Sequence, residues 1–239
     1  MDNFIDELNK QQKEAVTTTE GYVRIIAGAG TGKTKALTYR YAYLVDELGI
    51  STSNILCVTF TNKAAREMSK RIRQMIGDSD TGYICTFHGF CVKLLREDIH
   101  AINYPQNFVV MDSEDTEDIL KTVYENAHIQ SRTYTFDMVR DHISAMKNEM
   151  QHIAYLADIS NDRLLADYEK ASDIPEKVFL GYLYEQKKVY GLDYDDLITI
   201  ALHILRTDAE KCHKWQERMM YVMAVSYTHL RAHETDQYL

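Results

Sequence analysis

Long hydrophobic runs are missing from this chain of 239 residues. No segment reaches the roughly 18 uninterrupted apolar residues that a membrane-spanning helix needs. The first residues, Met1 to Ile5, lack the basic start and the apolar run of a secretory signal peptide. We therefore exclude a membrane partner and expect a soluble, globular protein of the cytoplasm.

Paired cysteines are missing as well. The four cysteines are Cys57, Cys85, Cys91 and Cys212, and they form neither a CxxC pair nor a His-containing zinc spacing. Three of them lie in apolar runs, where small core residues are expected. This pattern argues against a zinc site or a disulfide framework and predicts reduced, buried thiols.

Basic residues are fewer than acidic ones. The chain has 27 basic and 36 acidic residues, and its net charge is -9. Phosphate affinity needs clustered cations, so an acidic average excludes indiscriminate nucleic-acid binding by the whole surface. One segment, Asn62 to Arg73, carries five basic residues against a single acid. A local nucleic-acid contact and a solvated helix face would both produce this composition.

Short apolar runs alternate with helical periodicity over the first hundred residues. Strands are predicted at Val23 to Ala27, Ile55 to Phe60 and Tyr83 to Phe87. The first two predicted strands are each followed by apolar residues at helical spacing, over Lys35 to Leu48 and Ala64 to Met75. Repeated strand and helix units predict an α/β fold with a parallel sheet and helices on its faces.

The pattern changes near Pro105. Ser113 is a candidate N-cap with acidic residues in the next turn, and helices with almost no strand signal are predicted from there to about Tyr190. A further helix and the apolar run Met219 to Val225 indicate a return to the sheet. We therefore predict a nucleotide-binding domain at 1–110, a helical insert at 111–190 and the rest of the first domain at 191–224.

A glycine-rich loop, Ala27-Gly-Ala-Gly-Thr-Gly-Lys-Thr34, lies between a predicted strand and a predicted helix. Its glycines let backbone N–H groups turn toward phosphate oxygens, and the helix start adds a positive dipole end. Lys33 is predicted to reach the β- and γ-phosphates, and the Thr34 hydroxyl to hold Mg²⁺. A glycine-rich turn without function is the weaker alternative. The loop predicts ATP and Mg²⁺ as cofactors, with the nucleotide bound by Ala27, Gly28, Ala29, Gly30, Thr31, Gly32, Lys33 and Thr34.

Several stretches around this loop match one family. The segment Leu8-Asn-Lys-Gln-Gln-Lys-Glu-Ala-Val16 precedes it, and Val58-Thr-Phe-Thr-Asn-Lys-Ala-Ala-Arg-Glu-Met68 and Thr86-Phe-His-Gly-Phe90 follow it. Together they resemble the UvrD, Rep and PcrA group of superfamily-one DNA helicases. The resemblance implies a RecA-like P-loop domain with an inserted all-helical subdomain. It also implies that Gln12 pairs with the adenine edge. Lys35 stands where the family often has an Arg that stacks on adenine.

The resemblance implies a single-stranded DNA site after the second predicted strand. Phe60 would offer a stacking face, which suits a motor that must hold any base sequence. Thr61 and Asn62 would bind the DNA backbone, Lys63 belongs to the basic segment, and His88 is a further implied contact. An ordinary core role for Phe60 is the alternative, because aromatic residues are common in strands.

The carboxylate pair that hydrolysis requires is not found where the resemblance puts it. The strand at Met219 to Met223 should continue into Val-Asp-Glu, but the sequence reads Ala224-Val-Ser. Asp195 and Asp196 follow no apolar strand, and helix capping explains them better. Ser226 to Thr235 looks like translated adapter sequence. We therefore interpret 225–239 as a foreign tail on a truncated gene, and expect weak Mg²⁺-ATP binding with negligible hydrolysis.

Three functions remain open on the sequence. The first is an ATP-dependent DNA helicase that translocates on single-stranded DNA, 3′ to 5′ by resemblance, with repair or replication proteins as further partners. The second is the helicase part of a recombinational-repair helicase–nuclease, which shares these motifs. The third is a non-motor nucleotide-binding module, such as a small-substrate kinase, whose nucleotide binding would be indifferent to oligonucleotides.

Overall fold

Eleven α-helices and five β-strands are formed by residues 4–28, 30–77, 80–129 and 134–225, the ranges described by a computed structural model of the chain. The helices are α1 (Lys10–Thr17), α2 (Lys33–Asp46), α3 (Asn62–Ile76), α4 (Phe87–Asp98), α5 (Ser113–Asn126), α6 (Phe136–Asn148), α7 (His152–Ala157), α8 (Asp162–Lys170), α9 (Ile174–Lys188), α10 (Tyr194–Thr207) and α11 (Ala209–Arg218). The strands are β1 (Ile55–Thr59), β2 (Tyr83–Thr86), β3 (Val109–Val110), β4 (Gly191–Leu192) and β5 (Tyr221–Ala224). The predicted mixed α/β composition with a parallel sheet is confirmed.

Two compact units divide the described residues. One, the sheet unit, takes its residues from Met1–Phe90 and Lys214–Leu239. The other, the helical unit, is Cys91–His213. In the part of the chain that the structure describes, no helix combines the length and hydrophobicity of a membrane crossing.

The sheet unit is built on three parallel strands in the order β2-β1-β5. Every residue of the central strand β1 is buried, as expected for a strand with neighbours on both sides. The register pairs Thr59 with Thr86 and Val58 with Ala224. The apolar run at 219–225 thus forms the predicted strand, and the segments that follow the three strands leave the sheet at the same edge.

The core of the sheet unit joins α2 and α3 to the sheet. On α3, Ala65, Met68 and Ile72 are buried at helical spacing, and each large apolar side chain stabilises the fold by about 1.5–3 kcal/mol. Cys57 also lies in this core, where burial raises the pKa of its thiol to about 12. None of the four cysteines, all of which lie in the described residues, forms a disulfide, but Cys85, Cys91 and Cys212 are only half-buried, so the prediction of buried thiols is correct for Cys57 alone.

The strand predicted at Val23 to Ala27 is not formed. These residues have no regular secondary structure, and Ile26 is 83% exposed. The prediction was wrong because an apolar run becomes a strand only beside a partner strand, and none of the described strands pairs with this segment.

The helical unit packs α5, α6, α8 and α9 around one apolar core. Helix α9 is buried on most of its circumference, and Gly181 is the point of closest approach, because an added Cβ would lie 2.9 Å from Val123. A short parallel pair, β3 with β4, is an addition that the sequence did not indicate. The N-cap of α5 is Asp112 rather than the predicted Ser113, because its Oδ1 accepts from the Glu114 and Asp115 N–H groups.

Candidate functional site

The glycine-rich loop turns directly into α2. Gly30 and Gly32 have φ of 76° and 91°, a left-handed conformation that side chains rarely adopt. Gly32 is also the N-cap of α2, which consequently has no side-chain cap. The N–H groups of the first turn thus remain available to an anion, which fits a phosphate group. Ala29, also predicted to bind nucleotide, lies outside the described residues.

The Lys33 side chain folds back over the loop. Its Nζ donates to the carbonyl oxygens of Ala27, at 2.8 Å, and Gly28, at 2.9 Å. The Thr31 hydroxyl donates to the same Gly28 oxygen at 2.7 Å. A phosphate oxygen is a stronger acceptor for an ammonium group than a neutral carbonyl. Lys33 therefore lies where it could exchange these carbonyls for phosphate, and Thr34 follows it on the first turn of α2.

Gln12 is brought to this loop from α1. Its Oε1 accepts from the Asn9 N–H at 3.2 Å, which completes the capping box of α1, and its Nε2 donates to the Thr31 carbonyl at 3.4 Å. A Cβ added to Gly32 would lie 2.8 Å from Nε2. Gln12 thus links the start of α1 to the loop. To pair with a base edge, its Oε1 and Nε2 would have to give up these two hydrogen bonds.

Arg40 holds α1 against α2 and was not singled out from the sequence. Its guanidinium donates to the carbonyls of Ala15, Thr18 and Thr19 near the end of α1. Burial lowers the pKa of Arg40, and the donated bonds compensate the buried charge. This anchor fixes the helix that carries Gln12.

Lys35 extends away from the loop. Its Nζ lies 3.8 Å from Glu7 Oε2 and 5.1 Å from the centre of the Tyr39 ring. Tyr39 donates to the same carboxylate at 2.6 Å, and this bond raises the pKa of its phenol to about 12. The three side chains form one surface cluster, so Lys35 is engaged by Glu7 and Tyr39.

The second group of predicted residues begins where β1 ends. Phe60 is 52% exposed, so it is not an ordinary core residue. Thr61 is the N-cap of α3, with its Oγ1 accepting from the Ala64 N–H at 3.1 Å, and Asn62 and Lys63 are the exposed first residues of that helix. An aromatic face and a helix N-terminus therefore lie side by side.

His88 lies in the first turn of α4, immediately after β2. Because β1 and β2 are parallel and in register at their last residues, their carboxyl ends share an edge of the sheet. The structure thus brings the segment with Phe60 and the segment with His88 to one edge.

The end of β5 reaches this edge too. The Val225 N–H donates to the Val58 carbonyl at 2.9 Å, so Val225 is fixed beside β1. The sequence has Val225 and Ser226 where the resemblance expects an Asp-Glu pair. The predicted tail after Val225 lies outside the described residues.

Asp195 and Asp196 lie in the helical unit, at the start of α10. Asp193 is the N-cap, and it exchanges hydrogen bonds of 3.0 Å with Asp196 in a capping box. The capping interpretation is confirmed for this helix start, with Asp193 as the capping residue.

A buried ionic cluster surrounds Asp196 and was not found from the sequence. Lys147 donates to Asp196 at 2.8 Å, to Asp193 at 2.5 Å and to Gln186 at 3.3 Å. Burial opposes ionisation of Asp196, but Lys147 and His152 outweigh it and hold its pKa below the usual range. Lys147 lies on α6 and Asp196 on α10, so this cluster joins two helices of the helical unit.

A model of the UvrD/REP helicase N-terminal domain matches residues 8–227. The chain belongs to the UvrD/REP helicase family. The match covers the loop, the segment after β1 and the ionic cluster of this family member, so these features belong to the shared domain.

Two named relatives illustrate the likeness of this UvrD/REP family chain. The ATP-dependent DNA helicase PcrA of Staphylococcus aureus is 36% identical over 228 residues, and that of Staphylococcus epidermidis is 35% identical over the same length. In both cases the alignment covers 95% of this chain and 30% of the relative. The chain thus spans about a third of the length of the curated relatives it matches.

Proposed function

We propose that this chain is the ATP- and single-stranded-DNA-binding part of a helicase motor of the UvrD/PcrA type. The observation that carries the proposal is the sheet unit itself. An uncapped, glycine-started helix and an exposed aromatic beside a second helix N-terminus occur there in one compact body. The relatives' description as ATP-dependent DNA helicases supports both ligands.

In the proposed nucleotide site, Lys33 leaves the Ala27 and Gly28 carbonyls and donates to the β- and γ-phosphates. The free N–H groups of the first turn of α2 orient the same phosphates, and the Thr34 hydroxyl holds Mg²⁺. Gln12 binds the base from α1. ATP would supply the phosphoanhydride bond whose hydrolysis drives movement in the whole protein.

In the proposed DNA site, Phe60 stacks on a base and Thr61, Asn62 and Lys63 bind the adjoining backbone. Stacking suits sequence-independent binding, because every base has a π-face. His88 contacts the same strand from the neighbouring segment. A helicase coupled to a nuclease would use the same site, so this part of the proposal holds for both kinds of helicase.

The proposed architecture is a RecA-like domain at 1–110 and 191–224, interrupted by a helical subdomain at 111–190. The division of the described residues into a sheet unit and a helical unit supports an interruption, although that division begins at Cys91. We further propose that the tail predicted at 225–239 is foreign to the domain, although the family match extends to residue 227 and Val225 still bonds to β1.

Hydrolysis is proposed to be negligible in this chain. An Asp to position Mg²⁺ and a Glu to activate water are required, and Val225 and Ser226 supply neither group. In the whole protein, hydrolysis would be coupled to 3′ to 5′ translocation on single-stranded DNA.

A fluorescent ATP analogue titrated into the purified chain tests the nucleotide site. Lys33→Ala should weaken binding by about 10- to 150-fold, because a charge-assisted hydrogen bond contributes about 1.5–3 kcal/mol. Lys13→Ala is the matched control, because Lys13 is a partly exposed lysine whose Nζ pairs with Asp6 at 2.8 Å rather than with the loop. Equal affinity in the two variants would contradict the assignment of Lys33.

A labelled oligothymidylate tests the DNA site. Phe60→Ala should lose about 1–3 kcal/mol of binding, Phe60→Leu nearly as much, and Phe60→Trp little, because only the last keeps a stacking face. If the chain binds nucleotide but no oligonucleotide, the non-motor module replaces the helicase as the better interpretation. ATP hydrolysis that is stimulated by DNA would refute the proposed inactivity.

A further inference from the structure

Helix α3 carries its positive charge on one face. Lys63, Arg66, Lys70 and Arg73 repeat at intervals of three and four residues, and each is exposed. Such spacing aligns side chains along one stripe of a helix. The buried Ala65, Met68 and Ile72 fix the opposite side of α3 in the core of the sheet unit. We call the four basic residues the basic stripe.

Arg71 lies outside the basic stripe, and its charge is compensated by an acid. It forms an ion pair with Glu67, the single acid of the helix. Among the described residues, no ion pair includes a member of the basic stripe. The structure therefore divides the basic segment into one arginine that is paired with an acid and four cations that form no ion pair with the described residues.

Three members of the basic stripe, all but Lys63, line an open groove. Arg66, Ser69, Lys70, Arg73 and Gln74 border a volume of about 580 Å³. Ten residues of helix separate the first and last members of the stripe, which is about 15 Å at 1.5 Å per residue. Four charges over that length give one cation per about 5 Å, of the same order as the 3.4 Å axial spacing of phosphates on a nucleic-acid strand. In a chain with net charge -9, this is local complementarity to a polyanion.

The basic stripe is continuous with the candidate DNA site. Its first member, Lys63, follows Thr61 and Asn62 at the helix N-terminus, which lies beside the exposed ring of Phe60. A strand whose base stacks on Phe60 and whose backbone meets the N-terminus could therefore continue along the exposed face of α3.

We propose that Arg66, Lys70 and Arg73 form a phosphate-binding track that extends the single-stranded DNA site along α3. The track binds the phosphodiester backbone without reading the base sequence, because contacts from three flexible cations to phosphate carry no sequence information. The inference rests on the proposed DNA-binding function and adds its length, direction and residues.

The test compares oligothymidylate binding at several salt concentrations, by fluorescence anisotropy with the full 239-residue chain. The variant Arg66→Gln/Lys70→Gln/Arg73→Gln removes the track. Loss of three phosphate contacts should reduce the slope of log affinity against log salt by about 2, because each contact contributes about 0.7 on a single strand. Affinity should fall at least about 50-fold at 50 mM salt, and this loss relative to the unmodified chain should shrink by about 20-fold at 200 mM, because a slope change of about 2 acts over a fourfold change in salt.

Two single variants form a matched pair on the same helix. Arg66→Gln should lower the affinity and the salt slope, whereas Arg71→Gln, which removes the same charge from the ion pair with Glu67, should change neither. Circular dichroism checks that α3 is intact, and all substituted side chains are exposed.

The negative results that would contradict the track and the DNA site differ from each other. If the chain binds the oligonucleotide and Phe60→Ala weakens it, but the triple variant keeps its affinity and salt slope, the track is wrong and the DNA site stands. Equal losses for Arg66→Gln and Arg71→Gln also overturn the track, because a general charge effect then suffices. Absence of any oligonucleotide binding by the unmodified chain refutes the DNA site and the track together.

Discussion

Replacing Lys147 by Met should destabilise the helical unit through charge rather than packing. The Lys147 side chain is 0% exposed and touches Asp193 and Asp196, which are 13% and 0% exposed. Met preserves most of the side-chain length, so little packing is lost. The two carboxylates, however, lose the cation between them. Removing one member of a buried ion pair costs about 3–5 kcal/mol, which is the expected decrease in the free energy of unfolding at neutral pH.

The pH dependence follows from the same cluster. In the native protein, the attraction of the two carboxylates outweighs burial and raises the pKa of Lys147, while burial and Asp196 raise the pKa of Asp193. Without Lys147, both carboxyl pKa values should rise above the unfolded value of about 3.9. When the pKa of a carboxyl group is higher in the folded than in the unfolded state, its contribution to stability is fully present at a pH below the unfolded-state pKa. That contribution is lost as the pH rises through the folded-state pKa. The penalty of Lys147→Met should therefore be large at pH 7.5 and small near pH 4.5.

Urea unfolding followed by circular dichroism at 222 nm measures this penalty. Tryptophan fluorescence is unsuitable, because Trp215, the single tryptophan, belongs to the sheet unit. Lys147→Met/Asp196→Asn should recover at least about 1 kcal/mol at pH 7.5, since one of the unpaired charges is removed. A penalty below about 1 kcal/mol, or an equal penalty at both pH values, would refute the role of charge and leave packing as the explanation.

Two further substitutions test the local geometry of the candidate site. Gly32→Ala should cost about 1–3 kcal/mol of stability because of its positive φ. It should also weaken nucleotide binding, because the added Cβ, 2.8 Å from Gln12 Nε2, displaces that flexible side chain from the loop. Gly21→Ala, which has positive φ and open space, measures the strain alone, and equal nucleotide affinity in the two variants would exclude the displacement of Gln12. Thr61→Ala should lower the free energy of unfolding in urea by about 1 kcal/mol, because it removes the N-cap of α3. Thr61→Ser should retain this stability, and a loss in Thr61→Ser as well would argue against capping.

Features that depend on neighbouring residues in the chain were predictable. The strands at β1 and β2 and the helix after the glycine-rich loop were found from periodicity, and the face of α3 follows from its spacing. The segment Val23 to Ala27 has an equally apolar sequence but forms no strand. Its conformation depends on a partner strand, and a single apolar run contains no information about that partner. The N-cap of α5 was misplaced by one residue, because Asp112 and Ser113 are both good caps and only the backbone geometry chooses between them.

The ionic cluster could not be predicted by the same means. Lys147 and Asp196 are 49 positions apart, and each has an ordinary local explanation as a polar helical residue or a helix cap.

The candidate site depends on the pairing of strands that are distant in the sequence. Parallel pairing of β1 with β2 and β5 brings the segments with Phe60, His88 and Val225 to one edge of the sheet. The proposed DNA-binding residues follow the first two strands, and Val225 follows the third at a position where the resemblance expects an acid. Because each strand delivers its own residues to the shared edge, the proposed binding groups and the proposed loss of hydrolysis depend on different strands and can be tested separately.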